Sequence, residues 1–193
     1  MNTTEKNNWT LFLDRDGVIN ERLPGAYIAD WRDFQFTAKA IDAIARCRSY
    51  FRRIVIVTNQ QGIGKGIMSF DELSNLHQAM LEEIQAGGGQ IDGIYTCPDL
   101  ASTNSVNRKP NPGMAYQAQK DFPEINFKRS VMVGDSISDI QFGKRLGMYT
   151  VLIPSKMEEA DLWEAAPIDY RFDNLKLMAD YLEEGGIILK KNT

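Results

Sequence analysis

Leu11-Phe-Leu-Asp-Arg-Asp-Gly-Val-Ile-Asn20 decides how this chain folds. The apolar run over residues 9–13 is short and β-prone, and predicts a buried strand. It stops in two carboxylates, Asp14 and Asp16, one residue apart, with Gly17 directly after them. Strand side chains alternate between faces, but a glycine here marks a backbone turn that lets both acids reach one volume beyond the strand's carboxyl end. In open α/β sheets ligands bind at that edge. Two adjacent acids, read as having no nearby base to neutralise them, are costly unless a cation joins them. Taken alone, residues 14–17 read best as a polar turn after a strand; the rest of the chain overturns that reading.

Further strands are predicted at the β-branched run 54–57, at 91–96, at 131–133, at 149–153 and near Tyr170. Between them lie helical patterns: 38–50, with Ile41, Ile44 and Ala45 on one face; 69–87, where Ser69 and Glu72 have capping-box spacing; and a helix capped by Asn111-Pro112 that ends near Asp121. Others close at Leu146, span 157–165 and start from Asn174. This alternation predicts an α/β fold, a Rossmann-like doubly wound parallel sheet with helices on both faces. Residues 1–193 read as one domain with no large cap. The loop-rich stretch 21–36 is longer than a simple connection needs and is a candidate flap over the site. Its cluster of Trp31, Phe34 and Phe36 reads equally as core or as the flap's anchor.

Composition bounds the function. With 43% hydrophobic and 25% charged residues the chain is ordinary globular protein, and a net charge of −4 argues against nucleic acid or an anionic membrane as partner. No apolar run has the length of a membrane span, and the polar residues 1–8 hold no apolar signal core, so a cytoplasmic location is expected. Cys47 and Cys97 are too few for a disulfide framework. A monomer is the default.

The polar residues fall at the strand ends: Asp14 and Asp16 after the first strand, Thr58 and Asn59 after the second, Asp135 after the fourth, with Arg108-Lys109 in the loop after the third. If the strands are parallel, one sheet edge gathers carboxylates, a hydroxyl, an amide and two cations, the inventory for phosphoryl transfer through a covalent intermediate. An Asp is already ionised at neutral pH and needs no base to make it a nucleophile. What it lacks is help in attacking an anion, which a divalent metal and a lysine supply. Oxygen donors point to magnesium. A second carboxylic acid protonates the leaving alkoxide and later recovers the proton from water.

Phe12-Leu-Asp-Arg-Asp-Gly17, Val57-Thr-Asn-Gln60, Arg108-Lys-Pro110 and Val133-Gly-Asp-Ser-Ile-Ser-Asp139 resemble, in order, the four motifs of the haloacid dehalogenase-like (HAD) phosphatases. The resemblance implies Asp14 as nucleophile, and Asp16 as general acid/base that also lends its backbone carbonyl to the metal. It implies Thr58 and Asn59 on the phosphoryl group or substrate, Lys109 on the phosphate, and Asp14, Asp16 and Asp135 as magnesium ligands. Asp139 reads either as support for these or as a solvated first-turn acid. Within the superfamily, Thr58-Asn-Gln-Gln-Gly-Ile63 and Arg108-Lys-Pro-Asn-Pro-Gly-Met114 resemble the branch of the heptose 1,7-bisphosphate 7-phosphatases and histidinol-phosphate phosphatases, nearer the heptose side. That implies a small phosphorylated sugar as substrate, with Arg108 contacting it.

Two departures stand out. Many members of the branch carry a zinc loop before the Arg-Lys pair, but residues 97–107 hold one cysteine and no histidine, so no zinc is expected. Ser136 stands where relatives often have lysine. Gly62-Ile-Gly-Lys-Gly66 lacks the Gly-Lys-Ser/Thr of a nucleotide loop and reads as a flexible loop beside the site, with Lys65 solvated. His77 reads as a surface or core-edge residue, and Cys97 as a small apolar strand-end residue. The rivals are histidinol-phosphate hydrolysis or another small metabolite, a polynucleotide 3′-phosphatase, which the acidic charge disfavours, and a phosphosugar-binding module without catalysis.

Overall fold

Apolar runs without polar interruption become strands buried on both faces. In a computed structural model, which describes residues 8–23 and 25–186, these are β1 (Thr10–Leu13), β2 (Arg53–Asn59), β3 (Gly93–Cys97), β4 (Ser130–Gly134), β5 (Tyr149–Leu152) and β6 (Tyr170–Arg171). All pair parallel in the order β3-β2-β1-β4-β5-β6. Leu11 pairs with Ile54 on one side and Val131 on the other, so β1 is central. The chain winds outward from β1 to β3, then returns to β4 on the opposite flank. That reversal opens a crevice at the carboxyl ends of β1 and β4.

Helices cover both faces: α1 (Ala40–Cys47), α2 (Phe70–Ala86), α3 (Gly113–Asp121), α4 (Ile137–Arg145), α5 (Ala160–Glu164) and α6 (Leu175–Glu183). The strand period of two sorts the core. Leu11, Leu13, Ile54, Ile56, Val131 and Val133 pack with α1, α2 and α6. Phe12, Val55, Val57 and Met132 pack on the other side with Met114, Ala115 and Ala118 of α3 and Phe142 of α4. Trp163 of α5 closes a smaller cluster with Ile140 and Leu152.

Element order and type follow the sequence reading, with shifts where side chains have other duties. The α2 capping box of Ser69 and Glu72 forms as expected. Pro112, not Asn111, caps α3, because the Asn111 amide donates to Ser105 O at 2.8 Å and accepts from Arg145 Nη1 at 2.8 Å. The 157–165 helix splits into a 3₁₀ turn, Met157–Glu159, followed by α5. In the 21–36 segment a short 3₁₀ turn, Trp31–Asp33, is set among irregular backbone. Trp31 stacks on Phe34 at 4.8 Å, and Phe34 meets Phe36 edge-on at 5.1 Å. Phe34 also joins the core, so the cluster is core and anchor at once. Pro24 of the flap and most of the polar N-terminal stretch lie outside the described residues. No described helix is long and apolar enough to cross a membrane.

Candidate active site

The strand ends carry their polar residues to one edge. Asp14 N–H still donates to Val133 O at 2.9 Å, so the nucleophile candidate is fixed by the sheet ladder itself. Asp14, Asp16, Asn59, Arg108, Lys109 and Asp135 line a cleft with a volume of about 190 Å³. Thr58 sits beneath its wall: it is fully buried, and its Oγ1 accepts from Gln60 Nε2 at 2.9 Å.

Lys109 is the hub. Its ammonium lies 2.8 Å from Asp14 Oδ1 and 2.6 Å from Asp139 Oδ1, with all three residues buried. Asn59 sets this lysine's backbone from both sides, accepting from Lys109 N at 3.0 Å and donating to Lys109 O at 3.2 Å. Asp139 has no solvated face. Its Oδ2 accepts from Ser136 N at 3.1 Å and Ser136 Oγ at 2.7 Å, which closes a capping box on α4 while Oδ1 faces Lys109. Ser136 is thereby a helix cap.

Burial, opposed by Lys109 and reinforced by Asp139 and Asp135, pushes the Asp14 carboxyl up to about 8. Burial and Asp139 raise Asp135 to about 6 against the hydrogen bonds of Ser155 and Arg22. Burial works to lower Lys109, but Asp139 and Asp14 hold it above its ordinary value. One oxygen from each of Asp14, Asp135 and Asp139 lies within 4.8 Å of the others. Hard oxygen donors gathered this closely, with burial and neighbouring acids disfavouring the charged forms of Asp14 and Asp135, make a set suited to a divalent cation.

The carboxylate cluster consists of Asp14, Asp135 and Asp139, whereas the Asp16 side chain turns to other partners. Asp14 and Asp16 do not lack a base, because Arg15 between them is one. Its guanidinium, 1% exposed, forks onto Asp16 with Nη2 at 2.8 and 3.0 Å and Nε at 3.2 Å. Asn20 Nδ2 and Gln60 Nε2 complete the shell at 2.9 and 2.7 Å. Burial would raise Asp16, but Arg15 and these hydrogen bonds hold it below the usual carboxylate range.

Sequence reasoning missed Arg22. From the flap, its Nη1 donates to Asp135 Oδ2 at 2.9 Å, the oxygen that also accepts from Ser155 Oγ at 2.5 Å. A lone arginine shortly after the first motif was the available signal. The flap is tied to the 62–66 loop, where Gln61 Nε2 donates to Tyr27 OH at 3.0 Å and Lys65 lies over the Tyr27 ring at 5.3 Å. Residues 97–107 are braced by Arg108 Nη1 on Asp99 O at 3.0 Å and by Asn111 on Ser105. Cys97 is fully buried, its sulfur 3.7 Å from Asp99 Oδ2.

Gly17 is required by space as well as backbone. Its φ is +87°, and a Cβ there would be driven into the Asp135 carboxylate and Ser155 Oγ. Gly17→Ala is expected to displace Asp135 and lower phosphate release by about 10²-fold, the cost of roughly 1 Å of misplacement. Activity assays beside far-UV circular dichroism check this; a folded variant of wild-type activity would show the contact to be tolerated.

Residues 106–178 match the HAD-hydrolase-like family model. A D-glycero-alpha-D-manno-heptose-1,7-bisphosphate 7-phosphatase of Mycobacterium tuberculosis is 39% identical over 133 residues, covering 69% of this chain and 70% of that one. The protein of the same name in Campylobacter jejuni is 33% identical over 181 residues, covering 92% and 97%. The D,D-heptose 1.7-bisphosphate phosphatase of B. bronchiseptica, solved with magnesium and phosphate, superposes with a TM-score of 0.84 over 92% of this chain and 99% of that one. At 24% identity that likeness shows the fold.

Proposed function

The chain belongs to the HAD-like phosphatases, among the heptose bisphosphate phosphatases, and as such is a phosphoric monoester hydrolase; we propose that it removes the 7-phosphate of D-glycero-D-manno-heptose 1,7-bisphosphate through an aspartyl-phosphate on Asp14. The observation that carries this is the buried Asp14–Lys109–Asp139 array facing Asp135 at the ends of β1 and β4. Residues 1–193 act as one hydrolase unit in which the flap, not a cap domain, meets the sugar.

Asp14 Oδ1 is engaged by Arg15 N at 2.7 Å and by Lys109, which leaves Oδ2 as the freer oxygen. It attacks as the carboxylate, after its proton has been released to solvent, a release that a cation held by Asp14 and Asp135 would favour. As the Oδ2–P bond forms, the bond from phosphorus to the sugar oxygen breaks, and Asp16 gives that oxygen its proton. In the second half Asp16 takes a proton from water, whose oxygen attacks phosphorus and frees Asp14 and inorganic phosphate. Arg15, Asn20 and Gln60 keep Asp16 ionised at rest, the form it needs as base. An incoming phosphate dianion opposes them and favours the protonated acid. Lys109 balances charge on the phosphoryl oxygens, and Asn59 and Asp139 fix its position. Asp14, Asp135 and the backbone carbonyl of Asp16 would hold magnesium, which when bound supplies positive charge to the phosphoryl oxygens. Arg108, fixed in charge and forked, meets the second phosphate or the hydroxyls.

The test is phosphate release from both anomers of heptose 1,7-bisphosphate, histidinol phosphate, fructose 1,6-bisphosphate and a 3′-phosphorylated oligonucleotide, with and without magnesium. One heptose anomer is expected to lead the non-heptose substrates by about a hundredfold or more in kcat/KM, the discrimination a polar, hydrogen-bonding site can reach. Preference for histidinol phosphate, or weak activity on all, would move the substrate elsewhere. Binding without turnover would make the chain a phosphosugar-binding module.

A further inference from the structure

His77 lies in the middle of α2, on the far side of Arg15 from the cleft, and motif spacing gives it no task. It is 8% exposed. Its Nε2 stands 3.3 Å from Arg15 Nη1. A guanidinium has donors only, so Arg15 donates and the imidazole accepts, which places the ring proton on Nδ1. The other edge of the same guanidinium forks onto Asp16. Meanwhile Arg15 O accepts from the backbone N–H groups of Ile19 and Asn20 at 2.8 and 3.2 Å, and Arg15 N donates to Asp14. Arg15 thus touches both catalytic acids, and among the described residues its side-chain hydrogen bond that leads away from them goes to His77.

We propose that His77 is a positioning residue for the reaction, an acceptor that holds the Arg15 guanidinium in the plane that presents Asp16 to the cleft. The inference rests on the reading of Asp16 as proton carrier. Without the acceptor, a donor on an almost wholly buried guanidinium is left unpaired, which is costly. The plane then has reason to rotate, and Asp16 loses its fixed aim. The imidazole is kept neutral, and so able to accept, by burial and by the Arg15 charge, with Asp16 opposing; its pKa is lowered to about 3. The ring also lines a shallow groove with Leu73, Ile94 and Thr96, away from the substrate. Its effect is therefore expected on turnover, not on substrate affinity.

Two substitutions separate reach from polarity. His77→Gln places a carbonyl oxygen near the position of Nε2, whereas His77→Asn places its amide short of Arg15. With the Mg-loaded protein and its best substrate, His77→Asn is expected to lower kcat about tenfold with KM nearly unchanged, the equivalent of one lost charge-assisted hydrogen bond. The limb of the kcat–pH profile that reports Asp16 should shift with it. His77→Gln is expected to stay within about threefold of wild type, since the acceptor is restored. Wild-type kcat and pH profile in a folded His77→Asn, or equal losses in both variants, would overturn the proposal. Asp16→Asn runs alongside: if it remains fully active, the reading of Asp16 fails, whereas an inactive Asp16→Asn beside an unaffected His77→Asn condemns the His77 inference alone. Should the variants fail to fold, the wild-type chain still decides. It contains 1 histidine, so its ¹⁵N resonances need no assignment, and a proton found on Nε2 in place of Nδ1 would refute the contact.

Discussion

Asp14→Asn is expected to lower phosphate release by on the order of 10⁴-fold or more while the protein remains folded, since loss of a nucleophile leaves only the residual catalysis of the surrounding charges. The amide is nearly isosteric with the carboxylate, and Asp14 N–H keeps its bond to Val133 O because that contact is backbone. What disappears is the oxygen that attacks phosphorus. The side chain also loses the charge that faces Lys109 at 2.8 Å, leaving that ammonium to Asp139. Lys109 keeps one carboxylate of two, so it is not stranded, and the substitution should not unfold the site. The measurement is steady-state phosphate release together with acid-quenched trapping of label from a phosphorylated substrate. Wild type should retain phosphoryl label on a peptide containing Asp14, and Asp14→Asn should retain none. Turnover at the wild-type rate, or label on a different residue, would remove Asp14 from the reaction.

The same site shows what a sequence discloses and what it withholds. Strands were legible because each is an apolar run that ends in polar residues, and the shared direction of parallel strands brings those ends to one edge. Asp14, Asn59, Lys109 and Asp135 could be assembled from that rule alone. The second layer was not legible. Arg15 looks like a spacer between two acids, since its meaning depends on a partner, His77, that follows 62 positions later on a helix. Arg22 sits in irregular backbone with no period from which to infer a direction. Asp139 shows a subtler limit. From sequence it reads either as a supporting acid or as a solvated first-turn acid, and its pairing with Ser136 goes unseen. The carboxylate has two oxygens and uses both, Oδ2 on Ser136 and Oδ1 on Lys109. Thr58 and Gln60 make the reverse case: the motif suggests a hydroxyl in the cleft, yet it is buried under the wall and bonded to Gln60, which reaches on to Asp16.

Metal removal and pH should act through one set of carboxylates. Chelation is expected to bring phosphate release to background, and the metal-free protein is expected to lose stability as pH rises. In the folded state burial, with Asp139 and Asp135 beside it and Lys109 opposing, raises Asp14 from 3.8 to about 8. Asp135 is raised from 3.8 to about 6. Between those limits the folded protein retains protons that the unfolded chain has released, so each step up in pH makes unfolding more favourable. This contribution to stability is complete below about pH 4, falls through about pH 6 as Asp135 ionises, and is gone above about pH 8. Asp16 runs the other way: its lowered pKa stabilises the fold above its unfolded value and is lost in acid. Magnesium competes with the retained protons, so its stabilisation should grow across the same window and its binding should release protons near neutrality. At a concentration about a hundredfold above Kd, the gain is about 2.7 kcal/mol, or roughly 5–10 °C in Tm for a chain of this size. Melting curves at pH 5, 7 and 9, each with EDTA and with magnesium, should show the gap widening with pH. A gap that is constant, or widest at pH 5, would mean that Asp14 and Asp135 do not hold the metal, and that the close approach of their oxygens to Asp139 serves only the pairing with Lys109.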